Sequence, residues 1–318
     1  MSWLLIAVGL ALLVAGGEAL IRGSVSIASK LGMSKALIGV TLIGFGTSMP
    51  EFVATFGAAA KGSPDIAFGN VLGSNIANIL MILGVSTLIH PIATRMHGLW
   101  RDALFVSLSA AASVYWIYSG GITFWGAAWL LAAFATYMFF TIRADIADEI
   151  ATADDITALP KERALPLSLL FAIGGIAALV LGAEALIRGA SDIALGMGVS
   201  EAMVGITIVG IGTSLPEATA SIIASLKREN EIAFANIVGS NIFNGLGILG
   251  ITGLFHTLTF SPASAGGFTL LDAAILCTAT FFMFFFAVTH KRIMRWEGAL
   301  LLLAYGGYLG WLVTRALG

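Results

Sequence analysis

The chain has 318 residues, 58% hydrophobic and 11% charged, with a mean hydropathy of +0.96. Soluble domains are roughly 45–50% apolar and about 25% charged, so a water-soluble globule of this length could not hide so much apolar surface. A net charge of −2 without a basic stripe points away from nucleic acid, and Cys277 alone excludes an intrachain disulfide or a thiolate metal cluster.

In chain order, charges and turn residues mark off apolar runs near 3–22, 34–60, 65–89, 101–119, 121–142, 165–187, 199–226, 231–255, 268–289 and 295–315. Each is about the length of a bilayer span. Backbone groups in lipid must be satisfied within the segment, so runs of this kind are expected to be helices. The first run has no basic flank or clear cleavage site, and reads as a span rather than a signal peptide. The expected fold is therefore an all-α integral membrane protein of ten transmembrane helices.

Lysine and arginine placement sets the orientation. With both termini outside, thirteen of the sixteen basic residues fall on inner loops and helix ends, leaving only Lys61, Arg188 and Arg315 outside.

Residues 16–80 align with 182–246 at a constant offset of 166, without a gap, and 33 of the 65 positions are identical. Gly46-Thr47-Ser48-Met49-Pro50-Glu51 returns as Gly212-Thr213-Ser214-Leu215-Pro216-Glu217. Gly73-Ser74-Asn75-Ile76-Ala77-Asn78 returns as Gly239-Ser240-Asn241-Ile242-Phe243-Asn244. Shared hydrophobicity cannot produce identity at such polar positions. Five crossings per copy is an odd number, so the copies are expected to be inverted, a pattern that points to alternating-access transport. The expected division is 1–143 for the first repeat (helices 1–5), 144–164 for an acidic cytoplasmic linker, and 165–318 for the second (helices 6–10). The linker, with Asp145, Asp148, Glu149, Asp154 and Asp155, reads as a solvated connector.

Pro50 and Pro216 fall inside spans, where a missing N–H frees the carbonyls of Gly46 and Gly212. Helices 2 and 7 are thus expected to be broken. Unwound backbone at membrane depth is tolerated where it lines a cavity, and carbonyl oxygens are hard ligands suited to Na⁺ or Ca²⁺. Glu51 and Glu217 follow the prolines. A carboxylate near mid-membrane costs on the order of 2.5–3.5 kcal/mol, and no basic residue lies near mid-membrane in either motif helix, so a cation is the natural partner. Thr47 and Ser48 precede Glu51 by four and three residues, on its helical face. Ser74 and Asn78 share a face of the next helix, and Asn70 extends that stripe by a turn. Thr213, Ser214, Asn236, Ser240 and Asn244 repeat the set. Together they offer an all-oxygen site of formal charge −2, without the thiol or imidazole ligands that zinc or copper prefer.

With these motifs the chain resembles the sodium/calcium exchanger family, in the form without a regulatory domain. The resemblance covers both halves. It implies an antiporter rather than an enzyme, exchanging Na⁺ for Ca²⁺ across the cell membrane, with no organic cofactor and no obligatory protein partner. It further implies that Glu51 and Glu217 coordinate Ca²⁺ in competition with Na⁺. Thr47, Ser48, Ser74, Thr213, Ser214 and Ser240, with backbone near Gly44 and Gly210, would line flanking sodium sites, and Asn78 and Asn244 would flank the centre. Helices 1 and 6 would slide over a rigid core. Many family members carry Asp at the place of Asn244. Two glutamates still neutralise one Ca²⁺, but the departure leaves the coupling ion open between Na⁺, relaxed Na⁺/Li⁺ selectivity and H⁺. A proton-coupled member usually has Asn where Thr47 and Thr213 stand.

Two other classes compete. An intramembrane hydrolase could use Glu51 and Glu217 as an acid/base pair, but the chain offers no nucleophile–base pair and no reason for two symmetric copies. A passive cation channel would show flux without counterflow. Glu18 with Arg22 and Glu184 with Arg188 read as helix-end ion pairs, with a gating role as the alternative.

Overall fold

The computed structural model describes residues 1–94, 98–152, 164–199, 204, 208, 210–259 and 269–317. Most of the acidic linker and the first part of the seventh expected span lie outside the described residues.

The first half runs α1 (Ser2–Leu31), α2 (Lys35–Ile38), α3 (Gly44–Thr47), α4 (Met49–Ala60), α5 (Pro64–Ala77), α6 (Leu83–Ile89), α7 (Leu99–Ser119) and α8 (Phe124–Thr152). The second runs α9 (Leu165–Gly196), α10 (Gly210–Gly212), α11 (Leu215–Leu226), α12 (Asn230–Ile242), α13 (Leu249–Phe255), α14 (Leu270–Thr289) and α15 (Arg295–Leu317). Wider π-helical turns join α2 to α3 (Gly39–Ile43), α5 to α6 (Asn78–Ile82) and α12 to α13 (Phe243–Ile248). Among the described residues, six helices or joined helices are long and apolar enough to cross a membrane, and Lys35–Thr47 with Met49–Ala60 makes a seventh if that pair, bent by 46°, is one span. The chain is a multi-pass membrane protein. α7 and α15 are less apolar, but their 21 and 23 residues reach about 30 Å at 1.5 Å per residue.

α1 continues past the charge at Arg22, where the expected span ended, because nothing breaks it before Gly32 (φ 66°) caps it in the left-handed region. Asp145 also departs from expectation. Its carboxylate accepts the Ser34 backbone N–H at 3.2 Å, so this part of the acidic stretch braces the start of α2.

α1 and α9 pack antiparallel along their length, backbone against backbone. A Cβ at Gly9 would lie 2.7 Å from the Gly182 carbonyl, one at Gly16 2.9 Å from Gly175, and one at Gly23 2.7 Å from Ser168. The glycines recur every seven residues on α1 (9, 16, 23) and on α9 (175, 182, 189). Without side chains between them the backbones approach closely, which is how lipid-embedded helices associate where burial offers no driving force.

The chain is not purely helical. β1 (Ile92–Ala93) pairs antiparallel with β4 (Arg292–Ile293), and β2 (Gly121–Ile122) with β3 (Leu258–Thr259). These two-residue ladders form because the chain leaves α6 and α13 in extended conformation at His90 and His256, with unpaired backbone groups that a neighbouring loop can satisfy. Each ladder joins the first half to the second.

Candidate functional site

The breaks in the two halves have the same local geometry. Ser48 (φ −82°, ψ 9°) and Ser214 (φ −86°, ψ 8°) leave the helical region, and new helices start one residue later with proline in the first turn. Proline is tolerated there because first-turn N–H groups have no intrahelical partner. Glu51 and Glu217 therefore stand in the first turns of α4 and α11, where the helix dipole favours an anion. Both are fully buried, and their carboxylates lie within electrostatic range of each other.

The glutamates are held crosswise. Ser48 Oγ donates to Glu217 Oε1 at 2.8 Å, and Ser214 Oγ donates to Glu51 Oε1 at 3.4 Å. Ser74 lies beside the Glu51 carboxylate, and Thr47 beside that of Glu217. Ser240 Oγ donates to the Gly44 carbonyl at 3.4 Å, so a hydroxyl of one half meets the loosened backbone of the other. This close approach needs glycine: a Cβ at Gly44 would lie 3.2 Å from the Ser240 nitrogen, and one at Gly239 2.7 Å from Val40.

Glu51 Oε2, Glu217 Oε2 and both polar side-chain atoms of Asn78 and Asn244 are buried without a hydrogen-bond partner in the protein. Asn78 and Asn244 sit at the π-helical turns, whose extra residue per turn the sequence does not announce. Among the described residues there is no group of three or more His, Cys, Asp and Glu that could hold a metal ion. A cation here would be held by mixed carboxylate, hydroxyl, amide and carbonyl oxygens.

The expected residues fall at the two breaks and on the helices that face them, but the halves are not equivalent in exposure. Gly44 and Thr47 are buried, whereas Gly210 is exposed and Thr213 partly so. Thr47 Oγ1 reaches the Ile43 carbonyl at 3.0 Å and Asn236 Oδ1 at 3.3 Å, while Thr213 Oγ1 meets only the Gly210 carbonyl at 3.4 Å among the described residues.

Asn70 and Asn236 have a different place from the one their stripe suggests. Asn70 Nδ2 donates to the Glu51 carbonyl and to Thr55 Oγ1 (3.2 and 3.0 Å), and Asn236 Nδ2 to the Glu217 carbonyl and Ser221 Oγ (3.4 and 2.9 Å). They brace the glutamate-bearing turns from behind. The hydroxyls at 55 and 221, each four residues after its glutamate, were the available signal.

Two broken helices that meet at buried, cross-bonded carboxylates in an apolar bundle define a membrane cation transporter. The model for the sodium/calcium exchanger protein family matches residues 1–143 and 167–314, and the chain belongs to that family, whose transported ions are Na⁺ and Ca²⁺. It is 33% identical to the putative antiporter CaxA of Alkalimonas amylolytica over 307 residues, covering 95% of each chain. It is 27% identical to the sodium/calcium exchanger MaX1 of Methanosarcina acetivorans, covering 97% of each. Among solved structures it is similar to the sodium–calcium exchanger NCX_Mj soaked with Na⁺ and Ca²⁺, with a TM-score of 0.81, 29% identity and 96% of each chain covered.

Proposed function

We propose that this protein is a secondary antiporter that exchanges Na⁺ for Ca²⁺ by alternating access, and not an enzyme. One observation carries the reading. Glu51 and Glu217 are repeat-related and buried, each bonded by a serine of the opposite half, and each keeps a carboxylate oxygen without a protein partner. Two such groups in a low-dielectric interior call for a cation. Glu51, Glu217, Asn78 and Asn244 form its central cage. Thr47, Ser48, Ser74, Thr213, Ser214 and Ser240, with carbonyls near Gly44 and Gly210, take the flanking ions.

The rest of the reading is topological. Ten spans form two inverted five-helix repeats, 1–143 and 165–318, joined by a cytoplasmic linker at 144–164, with both termini outside the cell membrane. The antiparallel run of α1 against its repeat counterpart α9 supports inversion. The exposure of Gly210 and Thr213 beside the burial of Gly44 and Thr47 supports a conformer open on one side only. With the termini outside, that is the outer side.

The test is ⁴⁵Ca²⁺ uptake into proteoliposomes under an outward gradient of Na⁺, Li⁺, K⁺ or H⁺ in turn. Uptake driven by Na⁺ supports the reading. Uptake driven by H⁺ and indifferent to Na⁺ replaces it with proton-coupled exchange, and uptake without any counter-ion replaces it with a channel.

A further inference from the structure

Glu18, midway along α1, accepts ion pairs from two sources. Arg22 Nε lies 2.5 Å from its Oε1, within the same helix, and Lys227 Nζ lies 2.7 Å away, at the C-terminal cap of α11. The repeat counterparts at offset 166 are Glu184 on α9, Arg188 and Lys61, the last being the C-terminal cap of α4. Glu184 keeps its arginine at 2.5 Å. Among the described residues no ion pair joins Glu184 to Lys61. The arginine contact is thus common to both halves, and the lysine contact is made in only one.

The packing under the two lysines differs in the same sense. Gly17 of α1 sits so close to α11 that a Cβ there would lie 2.5 Å from Ile223 Cδ1 and 3.0 Å from Thr219 Cγ2. The counterparts of those two side chains on α4 are Gly57, where an added Cβ would meet nothing within 4 Å, and Val53, which is 69% exposed. The mouth at Glu18 is closed, and the mouth at Glu184 is open. The open mouth is on the same side as exposed Gly210 and Thr213. Because α1 and α9 are joined backbone to backbone, they move together, and a swing that closes one mouth opens the other.

We propose that Lys227 and Lys61 are the two halves of an alternating latch: Glu18–Lys227 seals the inner mouth in this conformer, and Glu184–Lys61 seals the outer mouth in the opposite one. The proposal rests on the alternating-access reading above. Lysine suits a contact that breaks and re-forms in every cycle, since its ammonium is a point charge on a flexible stem. Arginine stays with its carboxylate inside one helix and keeps it oriented. Exposed ion pairs of this kind are weak, so each latch shifts the ratio of conformers by about two- to fivefold rather than locking it.

The test uses the full-length protein in lipid with Cys277→Ser and spin-labelled cysteines at exposed, repeat-equivalent places: Ala15 with Leu226 at the inner mouth, Leu181 with Ala60 at the outer. Distances are measured with Na⁺, with Ca²⁺ and with neither. Lys227→Gln should lengthen the inner distance and shorten the outer one, Lys61→Gln should do the opposite, and Lys227→Arg, which keeps the charge beside Glu18, should leave the ratio close to the original. The latch is overturned if neither lysine variant shifts the populations, if both shift them the same way, or if the outer distance never shortens. Sodium-driven ⁴⁵Ca²⁺ uptake by the unaltered protein separates the two readings. Normal exchange with unmoved distances removes the latch alone, and reciprocal distances without exchange remove the Na⁺/Ca²⁺ reading alone.

Discussion

Ser48 and Glu217 lie 169 residues apart, yet the serine hydroxyl donates to the glutamate at 2.8 Å, while the counterpart bond from Ser214 to Glu51 is 3.4 Å long. A hydrogen bond to a charged group contributes about 1.5–3 kcal/mol net when its geometry is good. Ser48→Ala should therefore weaken apparent Ca²⁺ affinity by roughly tenfold or more, and Ser214→Ala by less. The concentration dependence of ⁴⁵Ca²⁺ uptake checks this, and equal losses in the two variants would remove the functional weight of the asymmetry.

Glu51→Gln and Glu217→Gln keep the shape of the side chain and remove its buried charge. Each should abolish exchange. The ion-free protein should melt at the same temperature or higher, because the cost of burying the carboxylate is gone. Stabilisation by added Ca²⁺, which follows from binding to the folded state alone, should disappear. Thermal melts with and without Ca²⁺ read both effects, and a retained Ca²⁺-dependent rise would refute the glutamates as ligands.

Asn78 and Asn244 are buried with both amide atoms unpartnered, so either can present a carboxylate to the same space. Asn244→Asp raises the formal charge of the site from −2 to −3. Since ligand charge tunes Ca²⁺ affinity, it should tighten binding by about tenfold. The concentration dependence of ⁴⁵Ca²⁺ uptake decides it: an unchanged half-saturating concentration would place Asn244 outside the ion path.

The α1–α9 contact predicts a contrast between neighbouring glycines. A Cβ at Gly175 would lie 2.5 Å from the Leu20 backbone nitrogen, whereas one at Gly174 would meet nothing within 4 Å. Gly175→Val should cost roughly 1–3 kcal/mol or more through overpacking against backbone that cannot yield. Gly174→Ala should be neutral or slightly stabilising. Melting temperatures of the two purified variants, measured side by side, test whether the helices touch as described.

What was legible in the chain was whatever the duplication wrote twice in polar letters. Glu51 and Glu217, the prolines before them and the serines beside them needed no third dimension, because a charge in an apolar run is costly wherever it lands. The crosswise bonding was not legible, since the offset of 166 equates Ser48 with Ser214 but does not place either against the other's glutamate. Asn70 and Asn236 looked like an extra turn of the ligand stripe, and only the distances to the Glu51 and Glu217 carbonyls turn them into braces. The glycines of α1 and α9 stood in plain view at intervals of seven, but spacing on one helix does not say which helix it meets. The π-helical turns at Asn78 and Phe243 have no composition signal, because packing rather than propensity sets them.

The two short ladders have a mechanical consequence. β1 precedes α7 and β2 follows it, so β1·β4 and β2·β3 stitch the halves together at both ends of that helix. Two blocks sewn at both edges cannot rock against each other as jaws do without tearing a seam. α1 and α9 lie outside both seams, so a swing of that pair would leave both ladders intact. The frame can then stay still while a single paired lever crosses it.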